Sequence, residues 1–429
     1  MAKILFTCFG SFGDLYPYII LAKTLKNRGH TVTIGSTTLY QEQIKKEGIL
    51  FTHLRSSIDC YTSPETIRAF VDRIFDPVKG GEYITQQMMS TIDETYQDSL
   101  DAVKDNDIVI SHPLAYTTPI VCRDQNVPWL STSLAPMFFL STYDPPTLSA
   151  APWLKKIHTL SPGLYRGLFS LLKKATKPWC KPLYQLCQNQ QISPPNGHPL
   201  FEGQYSPYGT LAMFSPSFAA PQSDWPINTT MTGFPLFSAE SAQSDELTQL
   251  QTFIDAGEPP IVFALGSSAV HVAKDFYKTS AQITRQLKRR AVLVCGDQDD
   301  QIKDIKQGDD IFCIGYVAYE KLFPQACLIV HQGGIGTLAQ SLVAQRPLLI
   351  VPFGFDQFDN GERVKKLGIG NYIKRQDYTV EQVTPIIREL LNNKCYQTAA
   401  TSIGKVIQLE EGANKASNVI EALLKNHTC

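Results

Sequence analysis

The sequence predicts an α/β protein of two doubly wound halves, each a parallel sheet flanked by helices. Three observations lead there. Short runs dominated by Val, Ile, Leu and Phe, such as KILFTCFG (Lys3–Gly10), have the length and continuous apolar character of strands buried on both faces. Helical patterns separate these runs, giving strand–loop–helix–strand units. The 429 residues exceed what one ordinary core organises, so two domains of roughly 200 residues each are the natural division.

The elements follow in order. After KILFTCFG comes the glycine-containing loop GSFGDLYP, then YIILAKTLKNRGH, with apolar residues at helical spacing and a stop at Arg28, Gly29 and His30. TVTIGST (Thr31–Thr37), DIVISHP (Asp107–Pro113) and VPWLSTS (Val127–Ser133) are further strands. The pattern resumes with PPIVFALGSSA (Pro259–Ala269), a strand then a loop. RAVLVCGD (Arg290–Asp297), DIFCIGYV (Asp310–Val317), ACLIVHQGG (Ala326–Gly334) and RPLLIVPFG (Arg346–Gly354) continue it. The stretch Pro221–Leu247 is rich in Pro, Ser, Thr and Gly and weakly periodic, as a linker would be. We therefore expect a first domain over 1–222, a linker over 223–240 and a second domain over 241–411. A terminal helix over 412–429 would return to the first domain.

Composition narrows the function. Hydrophobic residues make up 43% and charged residues 18%, enough for large cores. A net charge of −1 excludes a global nucleic-acid or membrane field. The ten cysteines show neither CxxC pairs nor zinc spacing, which predicts reduced, buried thiols in a cytoplasmic protein. The N-terminus lacks the pattern of a signal peptide, and no run of about 18 apolar residues occurs to cross a membrane.

HQGGIGT (His331–Thr337) is the first candidate site. A strand ends at His331, GGIG lets backbone approach a ligand closely, and a helix follows near Thr337. Free N–H groups and the positive end of the helix would favour an anion, most often phosphate. The spacing fits neither a Walker loop nor GxGxxG. The next strand and loop, PLLIVPFGFDQFDN, end in Asp356 and Gln357, whose carboxylate and amide suit sugar hydroxyls. Ligands of open α/β sheets bind beyond the carboxyl ends of strands. Both loops should therefore face one crevice and hold a sugar phosphate.

HQGGIGT followed by PFGFDQFDN resembles the donor signature of the UDP-glycosyltransferase superfamily. GSFGDLYPYIILAKTLKNRGHTVTI is similar to the start of its bacterial, sterol and rhamnolipid branches, and STSLAPMFFLSTYDPP (Ser131–Pro146) to rhamnolipid-type members. The likeness spans most of the chain and is weakest over 148–205. It implies a GT-B fold, two Rossmann-like domains facing across a cleft, with the acceptor in the N-terminal half and the donor in the C-terminal half. It also implies roles. His331 would contact the donor diphosphate, cradled by Gly333, Gly334, Gly336 and Thr337. Ser267 would touch phosphate, Val317 would meet the nucleobase through its backbone, and Asp356 and Gln357 would hold the sugar. The chain departs from many members in GYVAYEKLF, where Ala318 and Tyr319 leave uracil or thymine open as the base.

The implied reaction is metal-independent, inverting transfer of a hexose to a hydroxyl of a hydrophobic acceptor: a lipid, a sterol or an aromatic natural product. A UDP-sugar is favoured over a dTDP-sugar, and no cofactor is required. Such transfer needs a base. By analogy Asp14 is that base, with His112 in reserve and Gly13 and Phe138 as further acceptor-side candidates. The competing reading makes Asp14 the cap of the following helix and His112 a strand-end histidine bonded to backbone. Other functions stay open: a dTDP-rhamnose-dependent lipid rhamnosyltransferase, a nucleotide-sugar epimerase, or a non-catalytic lipid-binding protein.

One segment stands apart. Pro145–Phe201 contains no Asp or Glu but carries Lys155, Lys156, Arg166, Lys173, Lys174, Lys177 and Lys181 among Trp and Leu residues. It reads either as a peripheral contact with the inner face of a membrane or as lining of the acceptor pocket, its pattern broken by Pro162, Pro178 and Pro182.

Overall fold

In the computed structural model, which describes residues 1–237, 245–296 and 302–427, the chain divides into two compact units. One is Met1–Phe237 with Glu410–Cys429; the other is Ser238–Leu409.

The first unit holds a seven-stranded parallel sheet: β1 (Lys3–Thr7), β2 (Thr31–Ser36), β3 (Leu50–His53), β4 (Ile108–Ser111), β5 (Trp129–Ser133), β6 (Thr210–Ala212) and β7 (Thr229–Met231). Its order is β3-β2-β1-β4-β5-β6-β7. β1 is central, pairing Ile4 with both Val32 and Ile108, and Ile4, Leu5 and Phe6 are wholly buried. Such residues form strands because both faces are covered by helices. Helix α1 (Phe12–Asn27) follows β1, burying Leu15, Ile19, Ala22 and Leu25.

The linker expected over 223–240 is corrected within its described part: Thr229–Met231 is the edge strand β7, and only 238–240 of that range lie outside the described residues. The strand was hidden by its three-residue length among Pro, Gly and Asn, although β-branched threonines favour a strand.

The insert forms helices α2 (Trp153–Leu160), α3 (Pro162–Thr176) and α4 (Lys181–Asn189). Pro162 and Pro182 occupy the first turns of α3 and α4, and Pro178 that of a short 3₁₀ turn. These prolines therefore start helical segments instead of breaking one, because the missing N–H is unneeded there. Leu154, Tyr165 and Phe169 form a small core with Leu148, Ile157, Leu168 and Leu172.

The second unit's sheet is β8 (Ile261–Ala264), β9 (Ala291–Val294), β10 (Ile311–Ile314), β11 (Leu328–His331), β12 (Leu348–Ile350) and β13 (Gly370–Tyr372). Its order is β10-β9-β8-β11-β12-β13, again all parallel. Helix α5 (Ile335–Val343) follows β11 and α6 (Gln357–Lys366) follows β12.

Helix α7 (Gly412–His427) belongs to the first unit. Arg28 at the end of α1 donates to Asn418 at 2.7 Å and Glu421 at 3.0 Å, and His30 lies 3.2 Å from Glu421. Residues 428–429 of the expected terminal helix lie outside the described residues. No described helix is long and apolar enough to cross a membrane. Of the described cysteines, Cys60 and Cys395 are exposed and Cys327 is half-buried, which corrects the expectation of buried thiols at these positions; the buried ones lie in or just after strands (Cys8, Cys295, Cys313) or in helical segments (Cys122, Cys180, Cys187).

Candidate functional site

In the first unit the chain leaves β1, builds β2 and β3 on one side, and returns to place β4 on the other. The β1/β4 boundary is thus a topological switch point, where the loops beyond two adjacent strand ends part and leave a crevice. Asp14 lies just past β1 and His112 just past β4. Ser11 caps α1, and Asp14 is its reciprocal partner at the third helical position. Asp14 is therefore not the N-cap. Its Oδ2 accepts from the Ser11 N–H at 2.7 Å and the Ser11 hydroxyl at 2.9 Å. Its Oδ1 lies 3.5 Å from His112 Nε2. Gly10 permits this fold-back: its φ is +121°, and a Cβ there would stand 2.4 Å from Asp14 Oδ2.

The Asp14 side chain keeps 29% exposure, whereas that of His112 keeps 4%. Burial raises the Asp14 carboxyl, but hydrogen bonds from His112 and Ser11 outweigh it and hold the group below its ordinary value. His112 Nδ1 accepts the Leu114 N–H at 3.2 Å. A neutral ring therefore carries its proton on Nε2, toward Asp14. Tyr18 packs edge-on to the His112 ring at 5.8 Å. The helix-capping and strand-end readings thus describe real bonds, yet the two residues also meet. Gly13 donates its N–H to Ser11 Oγ at 3.2 Å. Half-buried Phe138 follows β5, the neighbour of β4, and its carbonyl accepts from Tyr205 at 2.6 Å.

The second unit repeats the arrangement. The chain goes from β8 to β9 and β10 and returns to β11 beside β8, so the β8/β11 boundary is its switch point. Ser267 lies in the short turn after β8, and His331 ends β11. The tight loop is shorter than expected: α5 already begins at Ile335, so Gly336 and Thr337 are helical. Gly334 caps α5 without a side-chain bond, leaving first-turn N–H groups unclaimed by a cap. Gly333 has φ +88°, and a Cβ there would stand 2.6 Å from Ile350 Cγ2. Thr337 Oγ1 accepts from Gln332 Nε2 at 3.4 Å.

His331 is wholly buried, which pushes its pKa down to about 3. Its Nδ1 accepts the Gly333 N–H at 3.0 Å, placing the proton of the neutral ring on Nε2. That atom is buried without a hydrogen-bond partner. An orphaned buried donor beside a helix N-terminus suits an anion, though a ligand reaches it only after neighbouring atoms shift. Val317 sits half-buried in the loop after β10, the far edge strand.

Asp356 and Gln357 begin α6. Gln357 is not a fully free sugar ligand: its Oε1 accepts the Phe353 and Gly354 N–H groups at 2.8 and 3.2 Å. Asn360, which the sequence reading did not single out, joins the two loops. Its Nδ2 donates to the Gly333 carbonyl and to Asp356 Oδ2, each at 2.8 Å. The only signal was its place one helical turn after Asp356. Among the described residues no group of three or more His, Cys, Asp or Glu could hold a metal ion.

Comparison with known proteins agrees with this geometry. Residues 4–143 match the glycosyltransferase family 28 N-terminal domain, and residues 291–413 the erythromycin biosynthesis protein CIII-like C-terminal domain, together more than half of the chain. O-mycaminosyltylonolide 6-deoxyallosyltransferase of Streptomyces fradiae is 24% identical, the match covering 99% of this chain and 98% of that one. The sterol 3-beta-glucosyltransferase of Aspergillus terreus is 25% identical over 96% of this chain, which spans only 29% of that longer protein. The crystal structure of glycosyltransferase VinC in complex with dTDP superposes with a TM-score of 0.69 at 18% identity, covering 98% of each chain. On these family matches and this two-sheet architecture, the chain belongs to the family 1 UDP-glycosyltransferase superfamily and has its GT-B fold.

Proposed function

We propose that the chain transfers a hexose, with inversion and without a metal or resident cofactor, from a nucleotide-diphosphate sugar to a hydroxyl of a hydrophobic acceptor. One observation carries this reading: the partly exposed Asp14 carboxylate and the His331 loop each occupy the switch point of their own sheet.

Asp14 Oδ2 is committed to Ser11, so Oδ1 takes the acceptor proton. The acceptor oxygen then attacks the anomeric carbon from the face opposite the diphosphate. The bond from that carbon to the diphosphate oxygen breaks, and the leaving group departs as the nucleoside diphosphate. The first-turn N–H groups of α5 and the Nε2–H of His331 stabilise the charge it gains. Asp356 and the free end of the Gln357 amide hold the sugar hydroxyls, in register with the phosphate loop through Asn360. Ser267 contacts phosphate and Val317 the base.

A UDP-hexose is the first choice of donor and a sterol-like or lipid alcohol the first class of acceptor, in line with the glucosyl and sterol specificities named for the Aspergillus relative. A dTDP-deoxysugar is the second choice, favoured by the deoxyallosyl relative and by the dTDP complex of the VinC neighbour. The test is consumption of UDP-glucose and dTDP-sugars with and without a panel of sterols, lipid alcohols and polyketides. Nucleoside diphosphate release that requires an acceptor supports transfer. Donor conversion that ignores the acceptor would point to an epimerase, and no conversion beside intact lipid binding to a non-catalytic protein.

A further inference from the structure

Helices α2 and α3 carry surface to which the proposed transfer assigns no residue. Joined at Ser161, they turn Leu154, Ile157, Tyr165, Phe169 and Leu172 inward to one small core. Other large apolar side chains face water: Trp153 is 51% exposed, Leu160 86%, Leu164 55% and Leu171 61%. Leu164 and Leu171 lie two turns apart on one side of α3, and Leu160 ends α2 at the corner between the helices. Exposed leucines scattered singly need no explanation, but four large apolar residues on two consecutive short helices do.

The charge along this segment is positive, with Glu202 just beyond it paired to Lys173. Lys156, Arg166, Lys174, Lys177 and Lys181 are exposed, and no Asp or Glu occurs from Pro145 to Phe201. The whole chain carries a net charge of −1, so this positive density is local. A second copy of the chain is a poor occupant. Glu202, just past the segment, is taken up by an ion pair with Lys173 of α3, so a two-fold interface would still set the remaining cations against one another. Lipid phosphate supplies the missing negative charge, acyl chains accept the leucines, and a half-exposed tryptophan suits the boundary between them.

From this we infer that the α2–α3 surface binds the interface of an anionic lipid bilayer. Trp153, Leu160, Leu164 and Leu171 enter the headgroup–acyl boundary, and exposed Lys156 of α2 and Lys174 of α3 pair with lipid phosphates. The inference stands independently of the transfer reaction.

The test is co-sedimentation of the full chain with phosphatidylcholine vesicles, with and without phosphatidylglycerol, at low and high salt. The wild-type chain should bind only the anionic vesicles and leave them at high salt. Leu164→Asp combined with Leu171→Asp should weaken that binding by about tenfold or more, through lost apolar insertion and added repulsion. Because both positions are exposed, its circular dichroism and its activity toward a water-soluble acceptor should match wild type. The fluorescence difference between wild type and Trp153→Phe gives a second reading that needs no charge variant: the Trp153 emission should shift to the blue with anionic vesicles. Absence of vesicle binding, equal binding by the double variant or an unshifted Trp153 would overturn the inference. So would a solution dimer that the double variant dissociates without any lipid binding, which would assign the surface to self-association.

Discussion

Replacing Asp14 by Asn removes a charge while keeping the shape of the side chain. The Asn carbonyl can still accept the Ser11 N–H bond, now 2.7 Å, so the start of α1 should survive. What is lost is an acid in the first helical turn, worth about 0.3–1 kcal/mol, and the attraction to His112. The melting temperature should fall by no more than about 2–4 °C for a unit of this size. Catalysis should suffer far more. An amide cannot take the acceptor proton, and a positioned base contributes about 10²–10⁴-fold, or roughly 3–5 kcal/mol of barrier. The donor loops lie in the other unit and do not include Asp14, so nucleoside diphosphate binding should be unchanged. The assay is acceptor-dependent nucleoside diphosphate release, run beside calorimetric titration with the same nucleotide. Turnover within a factor of about three of wild type would refute the base assignment.

Other predictions follow from individual contacts. Burial raises the Asp14 carboxyl and His112 lowers it, so His112→Leu should move the acid limb of the kcat/KM profile to higher pH; an unmoved limb would remove His112 from the site. In the wild type, Asp14 contributes stability that is present above its unfolded value of about 3.9 and lost as pH falls through its lower folded value. His331, held neutral by burial down to about 3, works in the same direction over a higher window. Below about pH 6.5 the unfolded chain takes up a proton the folded chain refuses, costing about 1.4 kcal/mol per pH unit. Denaturant titrations of His331→Asn between pH 7 and 5 should therefore show a shallower loss of stability than wild type. Gly333→Ala places a Cβ 2.6 Å from Ile350 at φ +88°, and should cost about 1–3 kcal/mol and abolish nucleotide binding at micromolar concentrations. Chelation by EDTA should leave turnover unchanged.

Much of the fold was legible because continuous apolar runs have one reading in a doubly wound sheet. KILFT, IVFA, AVLV and LIVH are strands buried on both faces, and each was visible without neighbours. β3, β6, β7 and β13 were not. β3 is a partly exposed edge strand, and the other three are three residues long, so pairing rather than pattern defines them. The glycine loop and its helix were readable as a local anion site. The meeting of Asp14 with His112 was not, because the two stand 98 positions apart and adjoin only through the order β1-β4. Asn360 escaped for the same reason: its importance lies in reaching Gly333, 27 residues earlier. The bond between Gln357 and the backbone of its own loop is a side-chain choice that sequence leaves open.

The most direct measurement is thermal unfolding of the full chain with UDP, dTDP, ADP and GDP, each with and without EDTA. At about 100-fold over its dissociation constant, a ligand of the folded state adds roughly 2.7 kcal/mol. Stabilisation by UDP or dTDP, indifferent to EDTA and absent in Gly333→Ala, is the predicted result. No shift with any nucleotide, or the same shift in Gly333→Ala as in wild type, would mean that the His331 loop is not the diphosphate site.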